Sequence, residues 1–444
     1  MKRILITKTL KYIGKKVKVC GWVNSRRDHG GIVFLDLRDF SGILQIVAVP
    51  KLAQGIKEEY VLEVEGKIQK RPIKMQNPEL ETGKIELKAE KIKILAKSKA
   101  LPFDLRNLKL TLPTLLDNRP ITLRNKKIKA IFKVEEELIQ SFRRAMKKLG
   151  FTEFQAPTIV PVATEGGAEV FPVKYYNYRA YLAQSPQLYK QILVGVFERV
   201  FTVTKAFRAE PSITTRHLSE YISLDAEMGF ISSWEELMDV CEFVMKNIFS
   251  DIKKNCKKEL KIFGAKISEL KKEIPRIKLR QAQEIIFKRV GRDNRKEPDL
   301  TPEDEREICR FAKEKYKSEL VFITHFPTKK RPFYTYPDPE DSRYTLSFDL
   351  LFRGMEIVTG GQRINDYDML LKNIKKFGEK IQNFEYYLQA FKYGMPPEGG
   401  FALGAERIVM QILGLKNVRE ASLFPRDMER IDQRLSLFKK RKKK

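Results

Sequence analysis

Five strand-like runs, at 17–27, 31–38, 43–49, 60–70 and 84–95, fill the first hundred residues and leave room for little except a small β unit. Turn signals such as Gly30-Gly31 and Ser41-Gly42 separate them, and a short helical stretch fits after Pro50, between the third and fourth runs. Within 32–38 the side chains alternate. Val33, Leu35 and Leu37 form an apolar face, and Phe34 falls with Asp36 and Arg38 on the other. Five strands with one helical interruption suit an OB-fold, a Greek-key barrel that often binds oligonucleotides. An aromatic ring on a polar strand face suits base stacking, and Gln45 on the next strand is placed to read a base edge.

The remainder has a different texture. Residues 101–125, with Pro102, Pro113 and Pro120, read as an irregular hinge. Ile128, Ile131, Phe132, Leu138, Ile139, Phe142 and Met146 then recur at helical spacing, with Lys147 and Lys148 in the last turn and Gly150 beyond it, so a long amphipathic helix is expected over 126–149. Further on, β-like runs (182–183, 199–206, 321–325, 345–352, 355–359, 400–403) alternate with helical ones (187–197, 234–250, 303–316, 366–390, 404–413). That mixture predicts an α+β domain over 126–434, built on an antiparallel sheet, with 231–320 as a mainly helical insertion. Residues 435–444 form a basic tail that reads equally as a solvated end or a nonspecific phosphate grip.

Charge narrows the class of function. Lys and Arg total 86 against 57 Asp and Glu, a formal net charge of +29, which favours a polyanionic partner such as nucleic acid. No apolar run reaches the length of a membrane span. Met1–Ile6 lacks a sustained apolar segment and a small-residue cleavage site, so no secretory leader is expected and a cytoplasmic location is. Cys20, Cys241, Cys256 and Cys309 are scattered, which argues for reduced thiols and against a zinc or disulfide framework.

Three segments carry the chemistry. Phe207-Arg208-Ala209-Glu210, then Arg216-His217-Leu218-Ser219-Glu220-Tyr221 and Leu224-Asp225-Ala226-Glu227, read as a hairpin whose arginine forks can grip phosphate oxygens. Gly399-Gly400-Phe401-Ala402-Leu403-Gly404-Ala405-Glu406-Arg407 allows close backbone approach to a ligand and opens a helix. Gly150-Phe151-Thr152-Glu153-Phe154-Gln155-Ala156-Pro157 follows the long helix. Singly each is weak. In this order they resemble motifs 2, 3 and 1 of class II aminoacyl-tRNA synthetases. Gln184-Ser185-Pro186-Gln187-Leu188-Tyr189-Lys190-Gln191 and Gly354-Met355-Glu356-Ile357-Val358-Thr359-Gly360-Gly361-Gln362-Arg363, with the N-terminal barrel, extend the resemblance over nearly the whole chain to aspartyl-tRNA synthetases. The catalytic half resembles the archaeal and eukaryotic type, because 231–320 is too short for the bacterial extra domain. Arg26-Arg27-Asp28-His29-Gly30-Gly31 and Asn77-Pro78-Glu79-Leu80 look more bacterial. Asn365 stands where the family usually has His, and Thr359 where it often has Ser.

The resemblance implies roles. ATP and L-aspartate react to aspartyl-adenylate, which is transferred to the 3′ end of tRNA(Asp). Arg208 and Arg407 are the implied catalytic residues. Arg208 holds the α-phosphate, Arg216 and His217 reach the outer phosphates, Tyr221 and Arg407 sandwich adenine, and Glu210 hydrogen-bonds the nucleotide. Glu356, Thr359 and Asp349 are the implied Mg²⁺ ligands, hard oxygen donors beside phosphate. Glu165 and Asp225 take the α-ammonium, Ser185 and Gln187 complete the cradle, and Lys190 and Arg363 face the side-chain carboxylate. An amide there would leave a buried charge unpaired. Arg26, His29, Phe34 and Gln45 are the implied anticodon contacts, and the motif 1 helix implies a homodimer.

Three alternatives stay open on the sequence. An asparaginyl-tRNA synthetase shares the architecture, but Lys190 and Arg363 argue against it. A noncatalytic RNA-binding paralogue should have lost Arg208, Glu210, Glu356 and Arg407, and a maker of free amide amino acids would need no barrel. Whether tRNA(Asn) is also charged is left open, with His29 in the Asp-His-Gly-Gly turn as the only hint.

The alternation generates the first prediction. Phe34→Ala is expected to lower kcat/KM for tRNA by a factor of about 5 to 150, from the roughly 1–3 kcal/mol of a lost base stack. ATP–pyrophosphate exchange and thermal stability should hold. Normal charging would remove Phe34 from the anticodon face, and a joint collapse of exchange and melting temperature would make it structural.

Overall fold

The strand alternation read in the sequence is the organising feature of the N-terminal unit. The computed structural model describes residues 1–163, 170–211, 213–267, 270 and 272–437. In it β1 (Lys16–His29), β2 (Ile32–Arg38), β3 (Ile43–Ala48), β4 (Val61–Lys70) and β5 (Ile85–Ala96) close into a barrel in the order β1-β2-β3-β5-β4, with α1 (Pro50–Ala53) between β3 and β4. Val33, Leu35, Leu37, Leu44, Ile46, Leu62, Val64 and Leu87 fill its interior. Barrel closure brings β5 hard against Gly66. A Cβ there would lie 2.1 Å from the Lys88 carbonyl oxygen, so only glycine fits. This unit ends at Asp104.

The second unit begins at Leu105. The stretch expected to be irregular carries two short helices, α2 (Leu112–Asp117) and α3 (Arg119–Thr122). Prolines sit in the first turn of each, where the missing N–H costs nothing. The long helix α4 (Lys126–Lys148) starts at Asn125, whose side chain accepts from the Lys127 and Ile128 amides. Its buried stripe includes Ile131, Val134, Leu138, Phe142 and Ala145, and Phe142 meets Phe201 edge to face at 5.7 Å.

Further along come β6 (Thr152–Glu153), β7 (Ile159–Val160), β8 (Pro172–Tyr175), β9 (Tyr178–Leu182), α5 (Gln187–Phe197), β10 (Arg199–Phe207) and β11 (Glu220–Gly229). After them lie α6 (Glu235–Asn255), α7 (Lys257–Phe263), β12 (Arg276–Lys278), α8 (Leu279–Val290), α9 (Pro302–Tyr316) and β13 (Leu320–Thr324). The described chain continues with β14 (Ser347–Phe352), β15 (Met355–Arg363), α10 (Tyr367–Lys376), α11 (Glu385–Lys392), β16 (Glu398–Gly404) and α12 (Ala405–Leu413). Eight strands form one sheet in the order β12-β13-β14-β15-β16-β11-β10-β6. Its interior pairs are antiparallel, and only the edge strands β12 and β6 run parallel to their neighbours. The fold is therefore an OB barrel followed by a mixed α/β unit with flanking helices.

Residues 231–320 are mainly helical, but they belong to the core. Leu237, Cys241, Val244, Ile248 and Ile252 of α6 share one apolar cluster with α4 and the sheet, and β12 extends that sheet. The single helix expected over 366–390 is broken into α10 and α11, with Gly378 at φ +76° in the connection. All four cysteines are free thiols, and among the described residues no helix is long and apolar enough to cross a membrane.

Candidate active site

An open pocket and an adjoining buried charge cluster lie on strands β11, β15 and β16. The hairpin β10–β11 holds a twelve-residue excursion, Arg208 to Ser219, longer than the Pro211–Thr215 loop read in the sequence. Arg208, Glu210, Arg216 and His217 from it line a solvent-open pocket with Tyr221, Glu356, Thr359 and Arg407. Every residue expected to touch the nucleotide is brought together there. The Arg208 guanidinium lies 5.6 Å from the Tyr221 ring centre, and Arg407 donates to the Glu356 carbonyl at 3.1 Å and faces its carboxylate at 3.5 Å. Arg216 is held by Glu305 of α9 and donates to the Gly354 carbonyl at 3.0 Å. His217 shares a hydrogen bond with the Thr214 hydroxyl at 2.7 Å. Burial, then the Arg407 charge, holds its pKa below the usual histidine value, so the imidazole is neutral near pH 7.

Strand irregularity matters here. Between β14 and β15 the register shifts, so that Leu350 pairs with Val358 but Leu351 pairs with Glu356. Ile357 is the extra residue, and the bulge turns Glu356 and Thr359 to the same side, into the pocket. Their oxygens form a hard donor set beside the arginines. Asp349 is placed differently. It pairs with Arg331 at 2.8 Å, and Arg331 also donates to the Thr359 hydroxyl at 3.2 Å. Burial, only partly offset by Arg331, raises the Asp349 carboxyl to about 7. Among the described residues no three His, Cys, Asp or Glu side chains cluster as a ready metal site.

The adjoining cluster is buried. On β11, Asp225 and Glu227 are two residues apart and so share a face. Lys190 of α5, almost fully buried, reaches Asp225 at 3.1 Å and Glu227 at 3.0 Å. Arg363, at the end of β15, donates to Glu227 at 2.7 Å and reaches the Gly400 carbonyl at 3.2 Å. A Cβ at Gly400 would lie 2.2 Å from a Glu227 carboxylate oxygen, so the glycine makes room for that carboxylate. Burial pushes against ionisation of both Lys190 and Glu227. The Glu227 and Asp225 charges more than offset it for Lys190, raising its pKa, and Arg363 and Lys190 do so for Glu227, lowering its pKa. Gln187 donates to Gln191 at 2.9 Å and accepts from Arg363 at 3.4 Å, while the Ser185 hydroxyl accepts from the Gln187 amide at 3.2 Å. Ser223 donates to Asp225 at 2.5 Å. Glu165 lies outside the described residues.

Sequence reasoning missed Glu227 as the partner of both cations, together with Gln191, Tyr387 and Glu398 behind them. Glu227 had a signal, its two-residue spacing from Asp225. Gln191 had one too, its four-residue spacing from Gln187, but Tyr387 and Glu398 had none, because they meet Gln191 from distant segments.

In the barrel, Phe34 is half-buried and His29 packs edge-on against it at 5.5 Å. A bulge in β1 between Val23 and Ser25 reverses the alternation, so Arg26 pairs with Leu35 and Arg27 stands across from Phe34. Arg27 bonds Asp36 at 3.1 Å and reaches the Gln45 side chain at 3.5 Å. Phe34, Asp36, Gln45 and Arg27 thus share one face, and Arg26 is directed to the other.

The sequence matches the family described as tRNA synthetases class II (D, K and N) over residues 111–428, and an OB-fold nucleic acid binding domain over 17–95. It is 42% identical to the aspartate–tRNA(Asp/Asn) ligase of Deinococcus radiodurans, over 97% of this chain and 99% of that protein. Identity is also 42% to the aspartate–tRNA(Asp) ligase of Pyrococcus abyssi, covering 94% and 96%. Among solved structures, asparaginyl-tRNA synthetase from Pyrococcus horikoshii complexed with asparaginyl-adenylate superposes with a TM-score of 0.88 at 31% identity, covering 97% of this chain and 99% of that one.

The buried charge cluster sets an expectation for stability. Glu227→Ala leaves Lys190 and Arg363 buried without their shared counter-ion. Chemical unfolding should register a loss of about 3–5 kcal/mol. A loss under about 1 kcal/mol would mean that the carboxylate does not hold the two cations.

Proposed function

The chain belongs to the class II tRNA synthetases of the aspartate, lysine and asparagine group, and within that family we propose that it is an aspartate–tRNA ligase. The observation that carries this reading is the pair of buried cations, Lys190 and Arg363, in the cluster beside the open pocket. An aspartate carboxylate satisfies them. An asparagine amide brings no charge and presents a donor to groups that only donate.

In the first step the aspartate α-carboxylate attacks the α-phosphorus of ATP. The new carboxyl oxygen–phosphorus bond forms as the bond to the β-phosphate bridging oxygen breaks, and pyrophosphate leaves. The nucleophile is already an anion, so positioning and charge stabilisation carry the step without a general base. Arg208 neutralises charge building on the α-phosphate. Arg216 and His217 address the outer phosphates, and Tyr221 and Arg407 flank the base. Asp225 takes the α-ammonium, with Gln187 and Ser185 beside it. Mg²⁺ would supply charge neutralisation at the phosphates. Glu356 and Thr359 would hold it, since Mg²⁺ is satisfied by one or two protein oxygens together with phosphate oxygens and water. Asp349 supports Thr359 through Arg331 and is the weaker candidate.

In the second step a terminal ribose hydroxyl of tRNA attacks the adenylate carbonyl, and AMP leaves. The barrel face of Phe34, Gln45 and Arg27 is assigned to the anticodon, with His29 edging the ring. Synthesis takes place in the cytoplasm on a homodimer built through α4 and the strand after it. The relatives above include enzymes named for tRNA(Asp) and for both tRNA(Asp) and tRNA(Asn). Charging of both purified tRNAs with labelled aspartate settles the range.

The test of the reading is ATP–pyrophosphate exchange. Aspartate should support it, and asparagine and lysine should not. Equal exchange with asparagine would overturn the assignment. Arg208→Ala should lower the exchange rate by about 10²–10³, the cost of roughly 3–4 kcal/mol at a preorganised transition-state donor, with the fold intact. An unchanged rate would place Arg208 outside the reaction.

A further inference from the structure

Behind the two cations lies a fifth ionisable side chain that the mechanism does not use. Glu398 opens β16 and is wholly buried. One carboxyl oxygen accepts from the Gln191 side-chain amide at 2.7 Å. The other is buried with no hydrogen-bond partner. Sheet register sets Glu398 directly across from Arg363, yet the Arg363 fork is committed to Glu227, Gln187 and the Gly400 carbonyl. The Lys190 ammonium is committed to Asp225 and Glu227.

The groups facing Glu398 come from every element around it. Glu227 approaches from β11, Arg363 from β15, Lys190 from α5 and Tyr387 from α11. Two cations, Lys190 and Arg363, meet two anions, Asp225 and Glu227, so this set is neutral before Glu398 is counted. An ionised Glu398 would be a third carboxylate with one hydrogen bond and no cation of its own, which a dry site strongly disfavours. The acid form suits the surroundings. Burial, reinforced by the Glu227 charge, raises this carboxyl to about 8.

Its position links it to the receptor. The Gln191 oxygen accepts from Gln187 at 2.9 Å and from the Tyr387 hydroxyl at 3.2 Å, and Gln187 in turn touches Arg363. We propose that Glu398 is a positioning and specificity residue for the amino-acid pocket, a neutral acid: once Asp225 turns to the substrate ammonium, Lys190 and Arg363 share Glu227 alone, and the aspartate side chain, not Glu398, supplies the second negative charge. Ionised, it would compete with the substrate carboxylate for the same positive field. Asparagine carries no such charge and escapes the penalty. This inference rests on the aspartate reading of the pocket.

The experiment follows exchange kinetics of the full-length protein from pH 7 to pH 9, with ATP and Mg²⁺ saturating. It reads kcat/KM for aspartate and the inhibition constant of asparagine. With Glu398 at about 8, the neutral form falls about tenfold over that range. Aspartate-over-asparagine selectivity should fall with it in the wild type. Each ligand is counted as its ammonium form at every pH, because the ammonium of asparagine titrates below that of aspartate. E398Q, a permanent mimic of the acid, should hold its selectivity constant to pH 9. A flat wild-type ratio overturns the proposal without recourse to any variant, and so does the same decline in E398Q. Absence of aspartate-dependent exchange in the wild type at pH 7 would instead overturn the assignment of function.

Discussion

Glu227 has almost no surface, and two cations converge on it from different parts of the fold. Lys190 arrives from a helix and Arg363 from the end of a strand more than a hundred and seventy residues later. Taking three charges out of water is costly, and their mutual attraction repays it only when geometry is good. Here the geometry is fixed by sheet alternation on β11 and by a glycine on β16 that leaves space for the carboxylate. The network also demands that α5, β11 and β15 meet in one arrangement. The cations are therefore positioned before a ligand arrives, and a preorganised charge needs little reorganisation to stabilise an incoming carboxylate.

The neighbouring pocket obeys other rules. It is open to solvent, its arginines are partly exposed, and Arg216, in the β10–β11 loop, is held by Glu305 of α9. A nucleotide carries its own charge and counter-ions, so this half needs many donors at moderate strength. The half proposed for the amino acid must tell a carboxylate from an amide of nearly the same shape, and only a buried site gives that difference enough weight. Both halves share strands, which in the proposed reaction would set the attacking carboxylate beside the reacting phosphate.

Much of this was legible in the residues. Val33, Leu35 and Leu37 point into the barrel because β alternation is local and strict, and the apolar stripe of α4 follows from helical period in the same way. The residues that line the open pocket were recoverable as ordered segments. The bulges were not. The one in β1 exchanges Arg26 for Arg27 beside Phe34, and the one in β15 is what brings Glu356 and Thr359 onto one face. No residue type announces an inserted position. Asp349 was expected at the metal and is paired with Arg331, which sits in a loop that sequence pattern did not connect to it. Glu398 was invisible because its environment is assembled from residues 191, 227, 363 and 387. The proline-rich stretch before α4 was read as irregular because proline was taken as a breaker, although it sits in first turns.

The central claim is that Lys190 and Arg363, held by Glu227, form a receptor for a carboxylate. Equilibrium dialysis tests it most directly, with labelled L-aspartate and L-asparagine in the presence of a non-hydrolysable ATP analogue. The wild type should bind aspartate tighter by at least about a hundredfold, since a buried site built for one polar group rejects its mismatched analogue strongly. Arg363→Gln should lose most of that preference. Comparable binding of the two amino acids by the wild type, or an undiminished preference in the variant, would contradict the account.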